Sequence, residues 1–252
     1  MRPAARLQAI ADLLAKVLAD SQPADRIMQS WGRQNRYAGS KDRRDISNRL
    51  FASLRHHANL TARLGTDNPL MVAMLATHLL EGEALEDVLA LADGSQYAPP
   101  PLSEADAKTL IHAAQTQAKE KPAQFGVADW LWPDIEAQLA DDTQAVLQAM
   151  MQRAPLDVRV NSLKATPQEA IDALAAEGFD AAPHSHIDGA LRLDAAPRLT
   201  ESQAFKKGVI EVQDAGAQAV ASMCNAQAFE TVMDFCAGAG GKALALAADM
   251  QN

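Results

Sequence analysis

Apolar residues recur every three to four positions over the first half of the chain and every two positions only after residue 155, so the sequence predicts a helical part followed by an α/β part. Leu7, Ile10, Leu14 and Val17 define a first amphipathic helix. Ile46, Leu50 and Leu54 define another, with Ser40 and Asp42 placed to cap and complement its start. Further helices are predicted from Pro69 to Leu80 and from Leu85 to Leu91, before Tyr97-Ala-Pro-Pro-Pro101 interrupts helical continuation as a linker or elbow. Ser103 then reads as the N-cap of a helix through Gln117, with Glu104 and Asp106 complementing its dipole. A last helix runs from Asp134 to Met151. Beyond Pro155 the period changes: Val158, Val160 and Leu163 predict a strand, Pro167 to Glu177 a helix, and Leu191 to Leu193 a short strand. The reading is a mainly α bundle over 1–140, a small α/β module over 141–212, and the first β-α unit of a third domain over 213–252.

That last unit carries the most specific chemistry. Thr231 to Phe235 reads as a strand, and Cys236-Ala-Gly-Ala-Gly-Gly-Lys242 as a glycine-rich turn into a helix, where backbone N–H groups and the helix dipole favour an anionic ligand. A phosphate-binding P-loop is excluded, because Cys236 and Ala243 stand where its first Gly and its Ser or Thr are needed. Gly238-x-Gly240-x-x-Ala243 satisfies a loose dinucleotide fingerprint. A glycine turn that merely packs closely fits the same residues.

The block Asp234-Phe-Cys-Ala-Gly-Ala-Gly-Gly-Lys242 resembles the S-adenosylmethionine loop of the RNA cytosine-C5 methyltransferases of the Sun/NOP type, D-x-C-A-x-P-G-G-K-T, with Ala239 in place of the Pro and Ala243 in place of the Thr. Pro155-Leu-Asp-Val-Arg-Val-Asn-Ser-Leu-Lys164 is similar to that family's R-x-N-x-L-K segment, and Phe205-Lys-Lys-Gly-Val-Ile-Glu-Val-Gln-Asp214 to its F-x-x-G-x-x-x-V-Q-D lead into the catalytic domain. Tyr37-Ala-Gly-Ser-Lys-Asp-Arg-Arg44 and the helix after it resemble the NusB-like domain of the bacterial rRNA enzymes. The resemblance implies a NusB-like bundle, an RNA-recognition-like module and the start of a Rossmann-like methyltransferase domain. It also implies S-adenosylmethionine bound by Cys236, Ala237, Gly238, Ala239, Gly240, Gly241 and Lys242, with Lys242 steering its carboxylate. In the family, a Cys thiolate attacks carbon 6 of cytosine so that carbon 5 accepts the methyl group, and a second Cys assists elimination. Both belong to motifs with no match in these residues, so no catalytic residue is assigned. Cofactor binding by these residues alone is expected to be weak, and the tail carrying Leu244 and Leu246 poorly anchored, because the strand before it lacks sheet partners.

Charge changes the picture of the first part. The net charge is −9, yet residues 1–65 carry 12 Lys/Arg against 5 Asp/Glu. Arg33, Arg36, Lys41, Arg43, Arg44, Arg49 and Arg55 fall within 23 residues that hold two acids, Asp42 and Asp45. Such a segment concentrates attraction for RNA phosphates, rRNA under the resemblance. A solvated helical face with local ion pairs is the other reading.

The remaining candidates point to structure. Trp130-Leu-Trp132 is expected to pack in the core rather than to stack on bases. His56-His57 diverge on a helix, and His184-x-His186 has no further ligand at metal spacing, so no metal is expected. Glu211 and Asp214 look like a pair of carboxylates, but the family resemblance places Gln213 and Asp214 at the entry to the cofactor domain rather than in an acid/base couple, and a structural role fits at least as well. Cys224 and Cys236 fit neither a disulfide framework nor a zinc site, and both thiols are expected to be reduced and mostly buried. The absence of a membrane-length apolar run and an N-terminus unlike a signal peptide predict a cytoplasmic protein. Two functions follow: an S-adenosylmethionine-dependent rRNA cytosine-C5 methyltransferase of which this is the N-terminal portion, or a non-catalytic RNA-binding protein derived from that family.

Overall fold

A computed structural model describes residues 1–194 and 198–252. The chain divides into two compact units, Met1–Arg153 and Ala154–Asn252. The first is wholly helical: α1 (Pro3–Ala19), α2 (Ala24–Gln34), α3 (Ser40–Arg55), α4 (His57–Leu64), α5 (Pro69–Glu81), α6 (Leu85–Ala90), α7 (Glu104–Gln115), α8 (Lys121–Phe125), α9 (Trp132–Leu139) and α10 (Thr143–Met150). Its centre is α5. Asn68 accepts from the N–H groups of Leu70 and Met71, Pro69 opens the helix, and Gly82 in the left-handed region stops it. Residues Met71 to Thr77 are all buried, as a helix apolar on every side requires. Around it pack Leu7, Ile10 and Leu14 of α1, Ile46 and Leu50 of α3, and Leu110 of α7.

The second unit is built on β1 (Leu156–Val160), α11 (Pro167–Ala176), β2 (Ala181–Pro183), β3 (Ala190–Leu193), α12 (Gln203–Lys206), β4 (Ile210–Val212), α13 (Ala215–Met223) and α14 (Gly241–Asp249). The strands form an antiparallel sheet in the order β2-β3-β1-β4. With helices after β1 and β3 this is the split β-α-β arrangement of ferredoxin-like folds. Thr166 starts α11 with a full capping box against Glu169. One sheet face, Val158, Val160, Leu191, Leu193 and Ile210, is closed by Ala170 and Leu174 of α11. The opposite face is ionic. Asp157 accepts two bonds from its cross-strand neighbour Arg192, at 2.7 and 2.9 Å, and Arg159 donates to its neighbour Glu211 at 2.7 Å. The Arg192 guanidinium holds the Asp157 carboxyl below its usual range, against the burial that would raise it.

Several expectations are corrected. Gly39, not Ser40, precedes α3, and Ser40 is the first helical residue. The helix predicted from Asp134 to Met151 is broken at Ala140, whose φ is +45°; the Thr143 hydroxyl donates to the Ala140 carbonyl at 2.7 Å, replacing the helical ladder at the break. Leu163 lies outside β1, because Asn161 accepts from Leu163 N–H and turns the chain. Trp130 is 77% exposed, whereas Trp132 stacks on Phe125 with ring centres 6.1 Å apart. Two residues two apart in a helical turn face different sides, so only one reaches cover.

Thr231 to Phe235 forms no strand: among the described residues, no neighbour pairs with it, and Met233 and Phe235 lie exposed. Leu244 is exposed as expected, but Leu246 is buried with Ala226 and Met250. Cys224 and Cys236 are both exposed, the first at the end of α13 and the second in the glycine turn, neither of which has a packed layer over it. No described helix is long and apolar enough to cross a membrane. His184 and His186 meet edge to face, and no described group of His, Cys, Asp or Glu is placed to hold a metal ion.

Candidate functional site

The glycine turn of the second unit owes its shape to two left-handed residues. Gly238 has φ +57° and Gly240 φ +87°, values that cost an L side chain steric strain. The Gly240 N–H donates to the Ala237 carbonyl at 2.9 Å and closes the turn. The Gly240 carbonyl then accepts from Leu244 at 2.8 Å and starts α14. A Cβ added at either glycine would meet open space, so backbone conformation rather than crowding demands glycine there. Among the described residues no side chain caps the N-terminus of α14, which leaves its first N–H groups and the positive end of the helix dipole open to a ligand. Lys242 is exposed beside them and has no carboxylate partner among the described residues. Cys236, Ala237, Ala239 and Gly241 complete the turn; Cys236 and Ala239 are exposed.

The turn is connected to the sheet through one buried side chain. Gln213 is 7% exposed and follows β4 directly. Its Oε1 accepts from Arg159 Nε at 3.1 Å, and its carbonyl accepts from Gln218 Nε2 at 2.9 Å. Its Nε2 finds no partner among the described residues and lies 3.7 Å from where a Gly241 Cβ would stand. Asp234 Oδ2, at the entry to the turn, is likewise buried without a partner. Two buried polar atoms left open beside a glycine turn are a cost that a bound polar ligand would remove. Asp214, next in the chain, accepts from Gly216 and Ala217 N–H and caps α13, and Glu211 is tied to Arg159. Both carboxylates are therefore structural. Sequence reading located Gln213 and Asp214 in a motif but had no signal for the free amide, which depends on the register of β4 against β1.

The basic segment belongs to the helical unit and is divided by the structure. Arg33, Arg36, Lys41 and Arg44 are exposed. Arg43 is half-buried; its stem lies 3.7 Å from where a Gly32 Cβ would stand, and it donates to the Arg36 carbonyl at 3.5 Å, binding the α2–α3 loop to α3. Arg49 is held between Asp45 at 3.0 Å and Glu83 at 2.7 Å, so its charge is neutralised within the fold. Arg55 is half-buried with Nε unpartnered among the described residues. Beside it, burial first and the Arg55 charge second lower the His56 pKa, while a hydrogen bond with the Met151 backbone opposes them.

A ferredoxin-like sheet followed by a glycine turn at a helix N-terminus sets an open backbone anion site beside a small α/β module, and the relatives this chain resembles are methyltransferases. Residues 127–200 match the family described as Methyltr_RsmF/B-like, ferredoxin-like domain. The match covers the stretch from just before α9 to just after β3 and gives that stretch of the chain its family likeness. It is 35% identical over 113 residues to the ribosomal RNA small subunit methyltransferase B of Pectobacterium carotovorum, covering 45% of this chain and 26% of that protein. To the protein of the same name from Cronobacter sakazakii it is 32% identical over 140 residues, covering 53% and 33%. The match thus spans about a quarter to a third of the length of these curated relatives. The crystal structure of PH0851 shares the fold at a TM-score of 0.66 and 18% identity, over 100% of this chain and 62% of that one.

Proposed function

We propose that this chain is the RNA-recognition portion and the cofactor loop of an S-adenosylmethionine-dependent rRNA cytosine-C5 methyltransferase acting in the cytoplasm on the small ribosomal subunit. The observation that carries the reading is the turn at Gly238 and Gly240, which opens an uncapped helix N-terminus beside the free amide of buried Gln213. The residues fit the cofactor: Cys236 to Gly241 offer a backbone cradle without crowding, and Lys242 holds the cofactor's carboxylate. When bound, S-adenosylmethionine supplies an electrophilic methyl group. Gln213 N–H donors and the Asp234 carboxylate orient its polar groups, and the Arg159 bond keeps the Gln213 amide from rotating. No residue of this chain is assigned the nucleophile.

The names of the relatives support rRNA as the substrate, and the segment from Arg33 to Arg55 supplies its docking charge. The exposed Arg33, Arg36, Lys41 and Arg44 meet phosphates directly, while Arg43 holds the Arg36 backbone and Arg49 is occupied by Asp45 and Glu83. In this reading residues 1–140 form a NusB-like RNA-binding domain, 141–212 the small α/β module and 213–252 the opening of a Rossmann-like catalytic domain. Calorimetric titration of S-adenosylmethionine into the protein isolated from its own cell tests the assignment. Binding is expected, weakened at least tenfold by Gly240→Ala, whose Cβ the +87° φ disfavours. Absence of any heat at millimolar cofactor would overturn it.

A further inference from the structure

Both tyrosines of the sequence and one of its three tryptophans line a single cleft of about 690 Å³ in the helical unit. Tyr37 is 71% and Tyr97 73% exposed, and Trp31 is half-buried between them and the bundle. Large rings left this open, in a chain with few of them, mark a surface that meets something. The backbone is arranged to present them. Tyr97 has φ +69°, a conformation that a bulky residue adopts only when its surroundings impose it. The surroundings are a closed loop: Ser95 N–H donates to Asp93 at 2.8 Å, Ala98 N–H to the Ser95 carbonyl at 2.9 Å, and Gly94 N–H to the Pro99 carbonyl at 3.0 Å. On the other side, the Arg43 bond to the Arg36 carbonyl fixes the loop that carries Tyr37.

Charge decides among occupants. Two exposed arginines, Arg33 and Arg36, lie in the chain between the cleft residues Trp31 and Tyr37, outside the cleft lining itself. Arg2 also lines the cleft. One acid, Asp12, lines it as well and accepts a bond from the Gln8 amide at 2.7 Å, so the excess of positive charge comes from Arg33 and Arg36 at its margin. Aromatic faces flanked by guanidinium groups suit a strand with flat bases and one negative charge per unit, since every base has a face to stack and every phosphate a charge to neutralise. A duplex would offer the phosphates but keep its bases stacked on one another.

We infer that this cleft takes unpaired RNA nucleotides, with Tyr37 and Tyr97 stacking on bases and Arg33 and Arg36 meeting the adjoining phosphates. The inference rests on the reading of this protein as RNA-binding. The test compares hexa-adenylate with an abasic ribose-phosphate hexamer of equal charge, bound to the full chain at fixed salt. The parent protein is expected to bind hexa-adenylate at least tenfold more tightly. Tyr37→Ala and Tyr97→Gly should each lose about tenfold for hexa-adenylate and nothing for the abasic hexamer, while Tyr37→Phe keeps the affinity. Both tyrosines are exposed and glycine suits the backbone at position 97, so neither variant disturbs the core. The double variant Lys41→Gln, Arg44→Gln should weaken both hexamers. If only that double variant weakens binding, the cleft is not the site, although the RNA reading stands. If no hexamer binds at 50 mM salt, or a proline-rich peptide binds in its place, the inference fails; the absence of RNA binding removes the RNA reading with it.

Discussion

His56 shows how far one residue's behaviour follows from position. Its place at the junction of α3 and α4 puts the ring in a half-buried setting beside Arg55, and both conditions favour the neutral form. The folded pKa lies below the ordinary value near 6.5, so the unfolded chain binds the proton more readily. The stability contributed is complete above pH 6.5 and is lost as the pH falls from there through the folded pKa. Denaturant unfolding between pH 7 and pH 5 is therefore expected to show a declining midpoint, and His56→Gln should flatten that decline; an equal slope in the variant would exclude His56 as its source. The doublet His56-His57 reads in the sequence as part of one helix, whereas His56 stands at the junction of α3 and α4, and the burial that most lowers its pKa comes from packing that no local pattern announces. Cys224 and Cys236 show the same limit: their residue type suggests burial, and the helix end and the turn expose them.

At the scale of elements, the sequence was most readable where the cap and the apolar period agreed. Asn68, Pro69 and Gly82 bracket α5, Ser103 caps α7 through Asp106 N–H, and Thr166 and Glu169 open α11; each signal lies in the residues that make the bond. It was least readable at β2 and β4, three residues each, whose existence depends on the partner strand beside them. The break at Ala140 carries neither Gly nor Pro, and nothing local announces it. Its φ of +45° and ψ of −120° lie where only glycine is at ease, so the α9–α10 junction stores strain. Ala140→Gly is expected to raise the unfolding free energy by about 0.5–2 kcal/mol, the strain relief exceeding the added flexibility of the unfolded chain. Thermal unfolding of the variant checks this, and a lower midpoint would show that the junction is relaxed. The glycine turn was recognised from sequence because its work is done by backbone; the strand expected before it was not formed, since a strand is a property of two segments.

Across the molecule, composition alone pointed away from nucleic acid, and only resolving the charge along the chain restored that possibility. The structure refines the basic segment further by neutralising Arg49 between two carboxylates. If Lys41 and Arg44 each meet a phosphate, their joint replacement by Gln should reduce the slope of log affinity against log salt by roughly one per lost contact. Arg49→Gln, by contrast, should act on stability and leave that slope alone, as a series of binding measurements at rising salt would reveal.

The ionic face of the sheet has a consequence for such experiments. Asp157 is almost fully shielded from solvent while Arg192 is exposed, so added salt reaches the pair from the arginine side only, whereas Lys41 and Arg44 are open to it outright. The exposed bases of the helical unit are therefore expected to lose their attraction for phosphates at lower salt than the half-shielded pair of the sheet loses its own. With Asp157 paired to Arg192 and Arg159 to Glu211, this face ties β3, β1 and β4 together and holds Gln213, through Arg159, beside the glycine turn.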